Sequence, residues 1–158
     1  MIQLRLLGSL ALTGPAGEEL PAVLRQPKRL ALLAYLAVAS PRGFHRRDTL
    51  LALFWPERDT EHARAALSHG LYTLRRTLGE GVIVSRGDEE VGIDRELCWC
   101  DAVALEEAVD AGRLEEAIGL YRGELFAGFH LSDAPEFDRW LEEHRARVLE
   151  RESEARQP

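Results

Sequence analysis

Long apolar runs are missing from this 158-residue chain, and that absence limits what it can be. Spanning a bilayer takes about 20 consecutive apolar residues; the longest clean run, Leu30 to Ala39, reads instead as a buried helix. The N-terminus has no basic stretch leading into an apolar segment and cleavage site, so no signal peptide is read there and the expected location is cytoplasmic. Cysteine is scarce: Cys98 and Cys100 are separated only by Trp99, too close for an easy disulfide along one strand. They are read as reduced core thiols. No second Cys/His pair stands at zinc-binding spacing, and His62 and His69 lack a nearby carboxylate or thiol partner, so neither metal nor cofactor is expected. No glycine-rich phosphate loop or nucleophile–base arrangement appears, which argues against an enzyme. Carboxylate pairs such as Glu106-Glu107 and Glu115-Glu116 fit solvated helix faces.

A global excess of positive charge is also lacking. The net charge is −7, but its distribution is uneven. Met1 to Leu97 holds 13 basic and 12 acidic residues, whereas Cys98 to Pro158 holds 7 basic and 15 acidic. Within Lys28 to Arg86 the balance is 10 basic to 5 acidic, so positive potential concentrates there.

That basic stretch contains Thr60 to Gly79, whose two faces differ chemically. Leu67, Leu71, Leu74 and Leu78 recur at helical spacing and form one apolar stripe. The opposite face carries Ala65, His69, Tyr72, Thr73 and Arg76, flanked by Arg64, Ser68 and Arg75. Such a face fits a nucleic-acid groove; taken alone it fits a solvated surface better.

The surrounding elements supply context. Ile2 to Leu7 and Ser9 to Thr13 read as a small antiparallel sheet, followed by a turn at Gly14 to Gly17 and another extended piece, Leu20 to Leu24. Pro27 can open a helix over Lys28 to Ala39, and Arg46 to Trp55 forms a shorter amphipathic helix that stops before Pro56. Asp59 or Thr60 can cap the next helix, and Gly79 and Gly81 can end it. Val82 to Ser85 and Val91 to Asp94 then read as a hairpin around Arg86 to Glu90. Three helices and a hairpin is the winged-helix order. From Asp101 the pattern is helical: Asp101 to Ala111, Arg113 to Gly123, and a long segment from Pro135 towards Arg156. Ala104, Leu105, Ala108, Leu114, Ala117, Ile118 and Tyr121 stand where two antiparallel helices would interlock, as in a tetratricopeptide-like unit.

Several stretches, in this order, resemble the bacterial transcriptional activator family of the SARP type. They are Pro27 to Leu36, Arg47 to Pro56, Leu71 to Gly79, Trp99 to Asp101, Gly112 to Ala117, Leu120 to Leu125 and Phe137 to Trp140. The resemblance implies an α+β fold: an OmpR-type winged helix-turn-helix over residues 1–97 with a small N-terminal sheet. An all-α, tetratricopeptide-like part of a bacterial transcriptional activator domain would follow over 98–158. It implies sequence-specific binding of double-stranded DNA, with Thr60 to Gly79 in the major groove and the hairpin as a wing. It further implies activation through RNA polymerase, faced by the Trp55 to Thr60 loop, on promoter repeats that two copies could occupy.

Roles follow from chemistry. Arg75 and Arg76 are expected on phosphates, with Arg64 offering a further charged fork. His69, Thr73 and Ala65 are expected near bases, with Ser68 and Tyr72 as hydrogen-bonding neighbours. Arg86 would act from the wing, and Arg46 and Arg47, with Lys28 and Arg29, would clamp flanking phosphates. Two features weaken such binding: the small, weakly polar segment Ala65 to Gly70, and the acidic wing tip Asp88, Glu89 and Glu90. The competing reading is a protein-interaction module whose winged helix has weak or no DNA affinity. The short helical part also suits a fragment of a larger regulator.

Overall fold

The computed structural model describes residues 1–157. The chain starts in β1 (Ile2–Arg5), which pairs antiparallel with β2 (Ala11–Thr13). A single helical turn, α1 (Pro21–Leu24), follows where an extended piece was expected. Pro21 accounts for the difference: its ring fixes φ near the helical value and its missing N–H is no loss at the first helical position. Helix α2 (Pro27–Val38) is the apolar run, with Leu30, Ala31, Leu32, Leu33, Ala34, Leu36 and Val38 buried.

Strand β3 (Phe44–Arg46) leads directly into α3 (Arg47–Phe54) and, after a turn, α4 (Thr60–Leu78). The hairpin β4 (Ile83–Arg86) and β5 (Glu90–Ile93) comes next, and β3 adds to its β5 edge. Gly92 permits that pairing, because a Cβ there would collide with the carbonyl oxygen of Gly43. The chain returns to the first sheet as β6 (Cys98–Cys100), parallel to β1 with Ile2 opposite Cys98 and Leu4 opposite Cys100. Neither the β3 nor the β6 pairing is foreshadowed by local sequence.

The helical part consists of α5 (Asp101–Asp110), α6 (Leu114–Leu120) and α7 (Pro135–Arg156). Helix α6 stops at Leu120, three residues before the expected end at Gly123. This part docks on the first 97 residues through one continuous core. Phe137 lies 5.1 Å from Phe54 and Trp140 lies 4.8 Å from Tyr35, ring centre to ring centre. The buried Asp101 carboxylate accepts the backbone N–H groups of Leu6 and Leu7 at 2.8 and 3.1 Å. Burial raises its pKa above the usual carboxylate value, against the opposing pull of those bonds. Glu106, expected on a solvated face, is instead buried on α5, where Arg42 and Arg147 donate to its carboxylate.

Cys98 and Cys100 are free and buried, as their spacing suggested. Burial pushes the Cys98 thiol up to about 11 and the Cys100 thiol further, so both stay protonated and unreactive at neutral pH. Among the described residues no helix is long and apolar enough to cross a membrane, and no group of three His, Cys, Asp or Glu could hold a metal ion.

Candidate nucleic-acid interface

Helix α4 is built to present one face. Ala63, Leu67, Gly70, Leu71, Leu74 and Leu78 are buried beneath it, extending the leucine stripe by two small residues. Its N-terminus is capped by Asp59, whose carboxylate accepts the His62 N–H at 2.8 Å and is held below the usual carboxylate pKa by that bond. Arg64, Ala65, Ser68, His69, Tyr72 and Arg76 are exposed, and Thr73 and Arg75 are half-buried. From His62 to Gly79 there is no carboxylate, in a chain with 27 of them. Tyr72, a large side chain, is left 55% exposed.

The arginines divide by partner. Arg64 has no hydrogen-bonded or ionic partner among the described residues. Arg76 donates to the Tyr72 hydroxyl at 3.0 Å and lies 5.8 Å over its ring; that bond raises the guanidinium pKa further. Arg75 instead reaches the hairpin, donating to Ser85 Oγ at 2.8 Å and towards the Ile83 carbonyl oxygen at 3.5 Å. It ties the helix to the hairpin, a contact the helical pattern could not disclose. Among the described residues no α4 arginine pairs with the acidic C-terminal part.

The remaining expected residues are placed around this face. Thr73 donates its hydroxyl back to the His69 carbonyl oxygen at 3.0 Å, which turns it along the helix. His69 Nε2 lies 3.2 Å from Arg29 Nη2; with Arg29 donating, Nδ1 is left as the donor of the ring. Arg46 and Arg47 open α3 beside Arg64 and Ser68, across a cleft of about 280 Å³ from Asp88 and Glu89. Arg46 lies 3.7 Å from Glu89.

Arg86 is held by Glu90 through two bonds of 2.9 and 3.1 Å and stacks 4.3 Å over Phe44. The pair lowers the Glu90 pKa and raises that of Arg86. Lys28 is likewise engaged, with Asp133 at 2.8 Å and Glu57 at 3.7 Å. Arg58, not singled out from sequence, lines a second cleft beside α4 with Trp55 and Arg29. Its only signal was its place in the turn between α3 and α4.

No protein-family model and no curated sequence matches the chain. Among solved structures it is similar to Mycobacterium tuberculosis EmbR in complex with a low-affinity phosphopeptide, with a TM-score of 0.66 and 24% identity. The match covers 98% of this chain and 43% of the EmbR chain, so this chain spans less than half the length of that protein. What the two share over that span is a fold, mixed α/β with small sheets and several helices.

Proposed function

We propose that the chain is a sequence-specific DNA-binding transcriptional regulator, and that α2, α3, α4 and the β4–β5 hairpin act as a winged helix-turn-helix with α4 in the major groove. The observation that carries this reading is the exposed face of α4 beyond its first turn, free of carboxylates from His62 onward and bearing Arg64, Ser68, His69, Tyr72 and Arg76. The absence of carboxylates over His62 to Gly79 suits a polyanion partner, which like charges there would repel. The EmbR likeness supports only the fold on which this reading stands. No enzymatic role is proposed.

Chemistry assigns the contacts. Arg64 and Arg76 serve phosphates or guanine edges; Ser68 and Tyr72 add hydrogen bonds. Arg46 and Arg47 hold a flanking phosphate beside the start of α3. Arg75 acts chiefly by setting the wing, and Arg86 contributes less because Glu90 already occupies it. In the same proposal residues 1–97 bind DNA and residues 98–157 form a tetratricopeptide-like part that supports them. The Trp55–Thr60 turn, apart from Arg58, faces RNA polymerase, and two copies occupy promoter repeats.

Electrophoretic mobility shift on duplexes selected by the chain from a random pool, at two salt concentrations, tests this. We expect binding that weakens steeply with salt. Binding to no duplex at low salt would leave the protein-interaction reading in its place, which the Arg86–Glu90 and Arg46–Glu89 pairs favour.

A further inference from the structure

Of the clefts along α4, two lie on opposite sides of its outward line Ala65, His69, Tyr72 and Arg76. At about 100° per residue, Arg64 and Ser68 turn to one side, Ala66 and Gly70 to the other. The first cleft, with Arg46, Arg47 and Arg64, is also lined by Asp48, Asp88 and Glu89. The second, of about 380 Å³, is lined by Lys28, Arg29, Arg58, His69 and Trp55, and no carboxylate among the described residues lines it. Positive potential is therefore less opposed on the second side.

Three independent elements converge on that second cleft. Helix α2 supplies Lys28 and Arg29, the α3–α4 turn supplies Arg58, and α4 supplies His69. Gln26 gives α2 no side-chain cap and Pro27 has no N–H, so the first amides of the helix have no side-chain partner. Arg29 bridges to His69 on the outward face of α4. Two carboxylates stand outside the lining: Asp133 and Glu57 hold Lys28, and Glu57 lies 3.9 Å from Arg58. Three cations against two carboxylates leave the site net positive, with Arg29 and the His69 Nδ1–H directed to no carboxylate among the described residues.

We propose that this cleft seats a phosphate group, namely a backbone phosphodiester of the DNA strand opposite to the one met by Arg46 and Arg47. The proposal rests on the reading of α4 as the groove helix. A major groove about 12 Å wide is rimmed by both backbones, so a helix lying in it meets phosphates on both flanks. His69 then belongs to phosphate positioning with Arg29, not to base reading, and the wing cleft is the weaker of the two flanks.

Phosphate ethylation interference and salt-dependent affinity, measured on the full chain with Arg29→Gln and Arg58→Gln, test it. Each variant should weaken binding about tenfold at roughly 0.1 M salt, alike for every sequence, and lower the salt slope by about one. Each should also erase an interference position on one strand, while Arg139→Ala, on the exposed side of α7, changes neither. Arg58 is exposed, so its variant is free of folding effects that could confuse Arg29→Gln.

Unchanged affinity and footprint in both variants, with Arg64→Ala and Arg76→Ala still weakening binding, would overturn the phosphate seat and leave the DNA reading intact. If the wild type binds no DNA, titration with inorganic phosphate decides. A shift of the Trp55 indole resonance that Arg29→Gln abolishes supports a phosphate seat for a free ligand. No shift overturns it together with the DNA reading.

Discussion

Helix α4 has 19 residues, three arginines and one carboxylate; helix α7 has 22 residues, five arginines and seven carboxylates. Every α7 arginine pairs with a carboxylate. Arg139 meets Glu136, Arg145 meets Glu124 and Glu142, Arg147 meets Glu106, Arg151 meets Asp110 and Glu154, and Arg156 meets Glu152. Arg145, only 11% exposed, also donates to the carbonyl oxygens of Leu125, Phe126 and Phe129 and so ties down the loop before α7. Among the described residues no α4 arginine has a carboxylate partner. The same residue type therefore sits in two settings in one chain: on α7 every arginine pairs with a carboxylate of the molecule, two of them with the buried Glu106 and Glu152, whereas on α4 none does and Arg64 and Arg76 stay exposed.

That contrast can be broken from the folding side first. Glu106, a carboxylate 3% exposed between Arg42 and Arg147, is the deepest of these pairs. Burial pushes its pKa up, but the bonds from Arg147 and Arg42 outweigh this and the net shift is downward. Glu106→Ala leaves two guanidinium groups without their shared acid, and chemical denaturation should show a loss of about 3 kcal/mol. DNA affinity should be unchanged at temperatures where the variant is folded.

The converse change is on α4. Arg64→Ala with Arg76→Ala should leave the denaturation midpoint where it is and weaken DNA binding about 100-fold in mobility shift, roughly tenfold for each guanidinium removed. A fall in stability comparable to that of Glu106→Ala would show that α4 arginines also hold the fold.

A smaller effect comes from pH. His45 and His144 are buried, and burial lowers both pKa values below the ordinary histidine value. The unfolded chain then takes up protons more readily than the folded one, so the stability they permit is present above about pH 6.5 and falls as pH drops through the folded values. Thermal unfolding should show a midpoint declining from pH 7 to pH 5. His144→Phe, which keeps the stacking on Trp140 (now 5.2 Å between ring centres), should flatten that decline.

The smallest expected change is Gly70→Ala. A Cβ at this position would be 3.7 Å from a Leu32 methyl group, an ordinary contact. Denaturation should show a gain of about 0.5–1 kcal/mol from helix propensity.

How far this was legible in the sequence depended on the range of the interaction. Helix α4 could be read because its stripe, its Asp59 cap and its terminal Gly79 all lie within the helix or beside it. Buried Ala63 and Gly70 escaped notice because small residues carry little hydrophobic signal. Strand β3 is three residues long and its partner β5 lies more than 40 residues on, so local alternation could not reveal it. The parallel pairing of β1 with β6 joins the two ends of the first 100 residues and has no local signal at all. At the site, exposure of Arg64 and Arg76 followed from the helical period. The engagement of Arg75 with Ser85 and of Lys28 with Asp133 depended on how separate elements pack, which periodicity does not encode.

The most direct measurement is the salt dependence of DNA binding for the full chain, compared between the Arg64/Arg76 double alanine variant and Arg147→Ala. We expect the α4 variant to lose affinity and about two units of salt slope, and Arg147→Ala to bind like the wild type. Equal losses in both variants, or none in the α4 variant, would contradict the division of labour between the two helices.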